Sequence, residues 1–466
     1  MEELTAKVCV LGGGPAGYTA AIRAAQLGAS VVLVEKDDLG GTCLNRGCIP
    51  TKALLKSAEV YSLLGQAGEY GVPAELSARS PEPELLLARK DTIVQQLRAG
   101  VELLLKKNAV TICRGTGTVL PGPAVEVLHS GEEKTLVRCE KLILAAGSAP
   151  LLPPIPGLEQ EGVMTSDEAI ATAAVPKSIV IIGGGVIGLE FAAFYRAMGC
   201  EVTIVELQDR ILPGEDVEVS AALLRAMKKR RIRFLLGAKV LRIDRQDGVL
   251  SVSYDQNGSA GAVSAERVLA AAGRKLCGLS PDVAELGVQA EGRAIRVDAH
   301  MRTSVEAIFA AGDAVGGRLL AHLSSAQGRV AAENAMGLNT ALDSHAVPAC
   351  IYTDPEFASV GLNAGAARSQ GLDVITGTFD FRANGRSLTL NNRDGFVKIL
   401  ADRTSHAILG GCILGPESSE LISELTLAVR MQASLETLAD LIHPHPSLSE
   451  AISEACLDAL GMAIHK

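Results

Sequence analysis

The chain has 466 residues, 48% of them hydrophobic and 21% charged, enough apolar material for about three domains. A net charge of −9 excludes the basic surface that nucleic acid requires, and no apolar run reaches the roughly 18 residues of a membrane span. Aromatic residues make up 3% and Trp is absent, so the cores are expected to be aliphatic and rich in Ala.

Met1–Ala6 is short and acidic, unlike a secretory leader, and a strand follows near Lys7. A cytoplasmic location is expected. Residues 8–17, VCVLGGGPAG, run from a strand into Gly12, Gly14 and Gly17; an Ala-rich helix and a second strand, VVLVE, follow and end in Glu35. Residues 179–188, IVIIGGGVIG, repeat the pattern with Gly183, Gly185 and Gly188, and VTIVE ends it in Glu206. In each copy the acid lies 23 residues after the first glycine. One Gly-x-Gly-x-x-Gly is a weak signal, but strand, glycine turn, helix and strand-terminal acid form the whole dinucleotide fingerprint. The first glycine makes the turn and the second admits the pyrophosphate. The third packs helix on strand, and the helix start offers N–H groups to phosphate. The acid receives a ribose hydroxyl, which favours NAD over NADP at a nicotinamide site. Two dinucleotides are expected.

Between the copies, residues 40–52 read GGTCLNRGCIPTK. Cys43 and Cys48 flank Gly47, Pro50 suits a first helical turn, and Lys52 adds positive charge. A helix start and a cation both stabilise thiolate, as a redox-active pair needs. Half a zinc site and two unrelated core cysteines are the rival readings; zinc would need a second ligand pair, and no matching spacing occurs. The other eight cysteines are scattered among apolar neighbours and read as inert thiols. Residues 308–317, IFAAGDAVGG, place Asp313 at a strand end, where it either reaches a sugar hydroxyl or closes an ordinary turn. Strands such as GFVKIL at 395–400 and Ala/Leu/Glu helices fill the last part. Near the end, HPHPSLSE puts His445 five residues before Glu450. From the residues alone this is either a helix cap with a surface histidine or a carboxylate-oriented general base.

The cysteine segment, both fingerprints and the Gly312–Asp313 stretch, in this order, resemble the flavoprotein disulfide reductases (class I pyridine nucleotide-disulfide oxidoreductases) over essentially the whole chain. Leu44, Asn45 and Ile49 resemble the family's lipoamide branch more than its glutathione branch. The resemblance implies an α/β fold with two Rossmann-like domains, for FAD and NAD, and a C-terminal α+β dimerisation domain. The FAD domain would be discontinuous, at 1–147 and 274–345, with the NAD domain at 148–273 and the dimerisation domain at 346–466. It implies oxidation of protein-bound dihydrolipoamide by NAD+. Cys43 would meet the substrate, Cys48 would lie beside the flavin, and Lys52 would pair with Glu190. Gly12, Gly14, Gly17, Glu35, Lys52, Gly117, Asp313 and Ala321 would contact FAD; Gly183, Gly185, Gly188, Glu190, Glu206 and Gly273 would serve NAD. His445 with Glu450 would complete the active site of the other subunit of a homodimer. A lipoyl-carrying subunit of a 2-oxo acid dehydrogenase or glycine cleavage complex is the implied partner.

Two departures stand out. Ala146 replaces a usual Thr, and Leu276–Cys277 replace a usual Pro and Asn, which puts the local turn in question. The rivals are a mercuric- or glutathione-type reductase and a non-catalytic flavoprotein. The first would want a C-terminal cysteine pair, yet only Cys456 lies in the last 50 residues. A glutathione-type reductase would want basic residues after Glu206, where Leu207 and Gln208 stand and only Arg210 is near.

Overall fold

The computed structural model describes residues 2–72 and 81–466. Three sheets organise them. In the first, parallel strands Thr111–Arg114, Val31–Glu35, Glu2–Leu11 and Lys134–Leu144 lie side by side, and the antiparallel strands Ala124–Leu128 and Thr116–Leu120 extend the edge. Ile308–Ala310 returns from far along the chain to pair with Leu142–Leu144. The sequence VVLVE is buried at every position, as a parallel strand covered on both faces must be. Ala16, Ala20, Ala21 and Ala24 of the helix Pro15–Gln26 are at most 5% exposed, so small side chains let that helix lie close on the sheet. The first strand starts at Glu2, earlier than expected near Lys7, because residues 2–6 pair with 135–139.

The second sheet repeats the design. Arg233–Leu236, Glu201–Glu206, Ser178–Ile182, Arg267–Ala270 and Val163–Thr165 are all parallel, and a three-stranded antiparallel meander follows from Ala238 to Ala265. The chain enters and leaves this part through Ser148–Pro150 and Arg274–Leu276, which pair antiparallel as a ribbon. The unusual Leu276–Cys277 turn is therefore formed, with the Cys277 N–H donating to the Gly147 carbonyl at 2.9 Å.

The third sheet is antiparallel, ordered Ala349–Ile351, Glu356–Gly361, Ile408–Gly415, Phe396–Asp402 and Val374–Asp380. The helices Ser418–Met431 and Glu450–Ala459 pack on it around Ile399, Ile413, Leu425, Ile452 and Ala455, all at most 1% exposed. One further apolar cluster joins all three parts. Leu54 and Ala58 of the helix Cys48–Gln66, Phe194 and Tyr195 of the helix Val186–Ala197, and Phe357 and Leu414 of the third sheet pack together. Each fully buried side chain of this kind contributes on the order of 2 kcal/mol. No helix among the described residues is long and apolar enough to cross a membrane.

The second and third parts are also tied by charge. Lys398, buried to 9% side-chain exposure, donates to Asp216 at 2.8 Å and also contacts Glu218. Without Asp216 the buried Lys398 keeps only the exposed Glu218 as partner, so Asp216→Ala should destabilise the protein by up to roughly 3 kcal/mol. Thermal unfolding of Asp216→Ala beside Glu218→Ala checks this: the exposed Glu218 should matter far less than Asp216.

Candidate active site

The first glycine turn is locked by its own backbone. Gly12 has φ +107°, and a Cβ there would lie 2.3 Å from the Ala145 carbonyl oxygen; a Cβ on Gly17 would lie 1.7 Å from the Gly12 oxygen. Glu35, 7% exposed, folds back so that Oε2 accepts the Gly13 N–H at 2.6 Å and Oε1 the Asp37 N–H at 2.7 Å. The second turn matches it 171 residues later. Gly183 has φ +114°, and a Cβ on Gly188 would lie 2.0 Å from the Gly183 oxygen. Glu206 accepts the Gly184 N–H at 2.5 Å and the Gln208 N–H at 2.7 Å. A Cβ on Gly185 would meet nothing within 4 Å, the clearance a pyrophosphate needs at that position. Both cradles fit a dinucleotide. Arg210, the cation that the sequence places near Glu206, donates Nη2–H to the Pro213 carbonyl at 2.5 Å.

The cysteine segment is pinned to the first turn. The Gly40 N–H donates to the Gly13 carbonyl at 2.8 Å, and Gly41, at φ +59°, passes so close to Gly14 that a Cβ would lie 2.6 Å from its Cα. The two cysteines sit on different helices and not together at one helix start. Cys43 lies inside the short helix Gly41–Arg46, and Cys48 is the first residue of Cys48–Gln66. At the junction, a Cβ on Gly47 would lie 3.0 Å from the Thr42 carbonyl oxygen, so the two helices meet by close backbone approach.

The two thiols are hydrogen-bonded to each other, which drives their acidities apart. A hydrogen bond from Cys43 lowers Cys48 to about 7, opposed by burial and Glu190 and helped by Lys52. The same hydrogen bond, burial and the Cys48 charge raise Cys43 well above the thiol range. Lys52 donates to both Glu190 carboxylate oxygens, at 2.9 and 2.8 Å, and stands 4.5 Å over the Tyr352 ring. Glu190, with a side chain 6% exposed, also accepts the Tyr352 N–H at 3.0 Å. Tyr352 was not singled out from sequence. Its only signal there is a lone aromatic in IYTDPE, far from both other partners.

The remaining expected residues fall into separate groups. Asp313 is beside the first turn, since Gly312 packs on Ala16, and its Oδ2 accepts the Ser148 hydroxyl. Ala321 opens the helix Ala321–Ala335, which crosses the same Ala16 at Gly328. Gly117 packs beneath the turn against Leu11, Val125 and Val34, and Gly273, at φ +123°, accepts the Leu151 N–H at 3.0 Å where the ribbon begins. His445 and Glu450 do meet, Nδ1 to Oε1 at 2.8 Å. Against the upward push of partial burial, the Ser447 N–H and His445 hold the Glu450 carboxyl below its ordinary range. The His445 side chain is 80% exposed, and its hydrogen-bond partner among the described residues is Glu450, not the cysteine segment. Beside it, His443 is 6% exposed at the side chain and bonds Glu424 at 2.9 Å, an anchor that sequence reading left unassigned.

Two measurements test this geometry. Alkylation of the reduced pair by iodoacetamide should be slow below and fast above a midpoint near about 7, and Lys52→Met should move the midpoint upward by removing the cation. Gly188→Ala should weaken NADH binding by roughly tenfold or more, about 1.4 kcal/mol, with flavin content unchanged; equal loss of both would mean the two turns are not independent.

Residues 6–328 match the pyridine nucleotide-disulphide oxidoreductase family and residues 347–456 its dimerisation domain. The dihydrolipoyl dehydrogenase of Bacillus subtilis (strain 168) is 43% identical over 471 residues, covering 98% of each chain. That of Pseudomonas aeruginosa is 41% identical over 468 residues, covering 100% of this chain and 99% of the other. The crystal structure of LpdA from Mycobacterium tuberculosis superposes with a TM-score of 0.89 at 27% identity, covering 98% of this chain and 99% of that one. The flavoprotein disulfide reductase RclA from Escherichia coli gives 0.85 at 26%, covering 97% and 99%. The chain belongs to the pyridine nucleotide-disulphide oxidoreductase family, within its dihydrolipoyl dehydrogenase group, and is an FAD- and NAD-dependent disulfide oxidoreductase.

Proposed function

We propose that the protein oxidises dihydrolipoamide carried on a partner's lipoyl arm, working as a homodimer in the cytoplasm. The observation that carries this reading is the Cys43–Cys48 pair held against the first glycine turn, with one thiolate stabilised beside Lys52. FAD would occupy the part built from 1–147 and 274–345 and NAD the part at 148–273, while residues 346–466 would form the subunit interface. Leu427, Met431 and Ile442, which are 62%, 70% and 95% exposed around the Glu424–His443 contact, supply apolar surface for that interface.

The residues divide the chemistry as follows. His445, oriented by Glu450, takes a proton from a substrate thiol across the interface. The resulting thiolate attacks Cys43 Sγ of the disulfide, forming a mixed disulfide and releasing Cys48 as thiolate. The second substrate thiol then attacks its own mixed sulfur, closing the lipoamide ring disulfide and freeing Cys43. Lys52 and the helix start stabilise the Cys48 charge that remains. FAD, when bound, supplies the two-electron relay from this dithiol to NAD+. Glu35, Gly12, Gly14 and Gly17 would hold its ADP half, Gly117, Asp313 and Ala321 would flank it, and Gly183, Gly185, Gly188, Glu206 and Gly273 would hold NAD.

Formation of NADH from dihydrolipoamide should be fast with NAD+ and weak with NADP+. Cys43→Ser should abolish it with flavin retained, and His445→Ala should slow it by roughly 10²- to 10⁴-fold. Mixing the two variants under subunit exchange should restore activity, because one hybrid site then has a cysteine pair from one protomer and a histidine from its partner. A fully active Cys43→Ser would sink the scheme, and absence of restoration would place His445 within its own subunit's site.

A further inference from the structure

Arg274 lies at neither glycine turn nor the cysteine pair, yet it is among the more closely held charges in the molecule. It opens the second strand of the ribbon that carries the chain between the two dinucleotide parts, opposite Pro150, with Leu276 opposite Ser148. From there it turns back on Ser148, Nε donating to the hydroxyl at 2.7 Å and Nη2 to the backbone carbonyl at 2.7 Å. Arginine has donors only, so the Ser148 oxygen must accept from it and spend its single proton elsewhere. That proton goes to Asp313 Oδ2. The guanidinium Nε is itself 3.9 Å from the same oxygen, and the two side chains are only 13% and 22% exposed. Polarity is thus fixed along the chain Arg274 to Ser148 to Asp313, and it requires Asp313 to be the acceptor. Asp313 Oδ1 accepts no hydrogen bond among the described residues, so one oxygen is committed to the clasp and one is open.

The same ribbon grips the Asp313 turn a second time. On leaving the ribbon the chain passes Gly312–Val315 so closely that a Cβ on Gly278 would lie 2.4 Å from the Ala314 carbonyl oxygen. Ser148 is also the only hydroxyl in the stretch LAAGSAP, where Ala146 offers none. No other side chain there can pass the contact on.

We propose that Arg274 is a positioning residue for hydride exchange: through Ser148 it ties the crossing into the NAD part to the acid that faces the flavin's sugar-alcohol chain, so that the nicotinamide and the flavin keep one relative placement. The proposal rests on the reading of Asp313 as a flavin contact. It adds that the dithiol half of the reaction does not depend on the clasp, because the cysteine segment is held to the first turn separately, by the Gly40 N–H on the Gly13 carbonyl. A shielded clasp of this kind is little screened by salt, unlike a surface ion pair.

The test uses the flavin-loaded enzyme and follows its two half-reactions separately without oxygen. In Arg274→Met and in Ser148→Ala, flavin reduction at saturating NADH should slow by roughly 10- to 100-fold, the cost of a misplacement near 1 Å. The NADH dissociation constant and reduction of the cysteine pair by dihydrolipoamide should stay unchanged. The double variant should be no slower than Arg274→Met alone, since both act through one contact. Equal slowing of both half-reactions, or slowing of neither, overturns the proposal. Ser148→Ala decides alone if Arg274→Met fails to fold. A parent enzyme inert to dihydrolipoamide but reduced by NADH would refute the substrate reading and leave the NADH arm of this test intact.

Discussion

The Lys52–Glu190 pair is the constraint on which the active region depends. Lys52 comes from the cysteine helix, Glu190 from the helix after the second glycine turn, and the Tyr352 ring and N–H from just past the first strand of the third sheet. Glu190 is nearly enclosed, and a lone carboxylate in that position would cost several kcal/mol. Each of the three parts therefore satisfies a charge the others bury. Beneath it, Leu54, Phe194 and Phe357 pack into one apolar cluster, so the polar and apolar contacts fix the same junction. The pair also sets the electrostatics of Cys48, since Lys52 favours its thiolate and Glu190 opposes it.

The two glycine turns are copies in backbone and differ in surroundings. Around the first, Gly40 and Gly41 lie directly on Gly13 and Gly14, and Gly312 and Gly328 close on Ala16. Around the second, Gly185 faces open space and Leu207 is 61% exposed. A covered turn suits a resident flavin and an open one an exchangeable nicotinamide. The repeated fingerprint cannot distinguish the two on its own; the chain that later folds over it does.

Much of the site was legible because its physics is local. A glycine turn, its helix and its strand-terminal acid lie within about 25 residues, and hydrogen bonds such as Glu35 to Gly13 follow from that spacing. His445 and Glu450 are also close in sequence, and they meet. What escaped the sequence joins residues far apart: Tyr352 to Glu190, Arg274 and Ser148 to Asp313, and His443 to Glu424. None has a periodic or spaced pattern, because such contacts depend on how whole elements cross. The placement of Cys43 and Cys48 on two helices was also misjudged, since only the approach of Thr42 to Gly47 shows where the first helix must stop.

By itself the sequence determined two dinucleotide turns, a dithiol with a nearby cation, a histidine–carboxylate pair and an aliphatic α/β build, since each is set by residue type at short spacing. Only the tertiary structure decided what surrounds each thiol, which turn is covered and that Arg274 and Ser148 meet Asp313. Those outcomes depend on burial and on contacts between distant segments, and both arise only when the helices and sheets have packed.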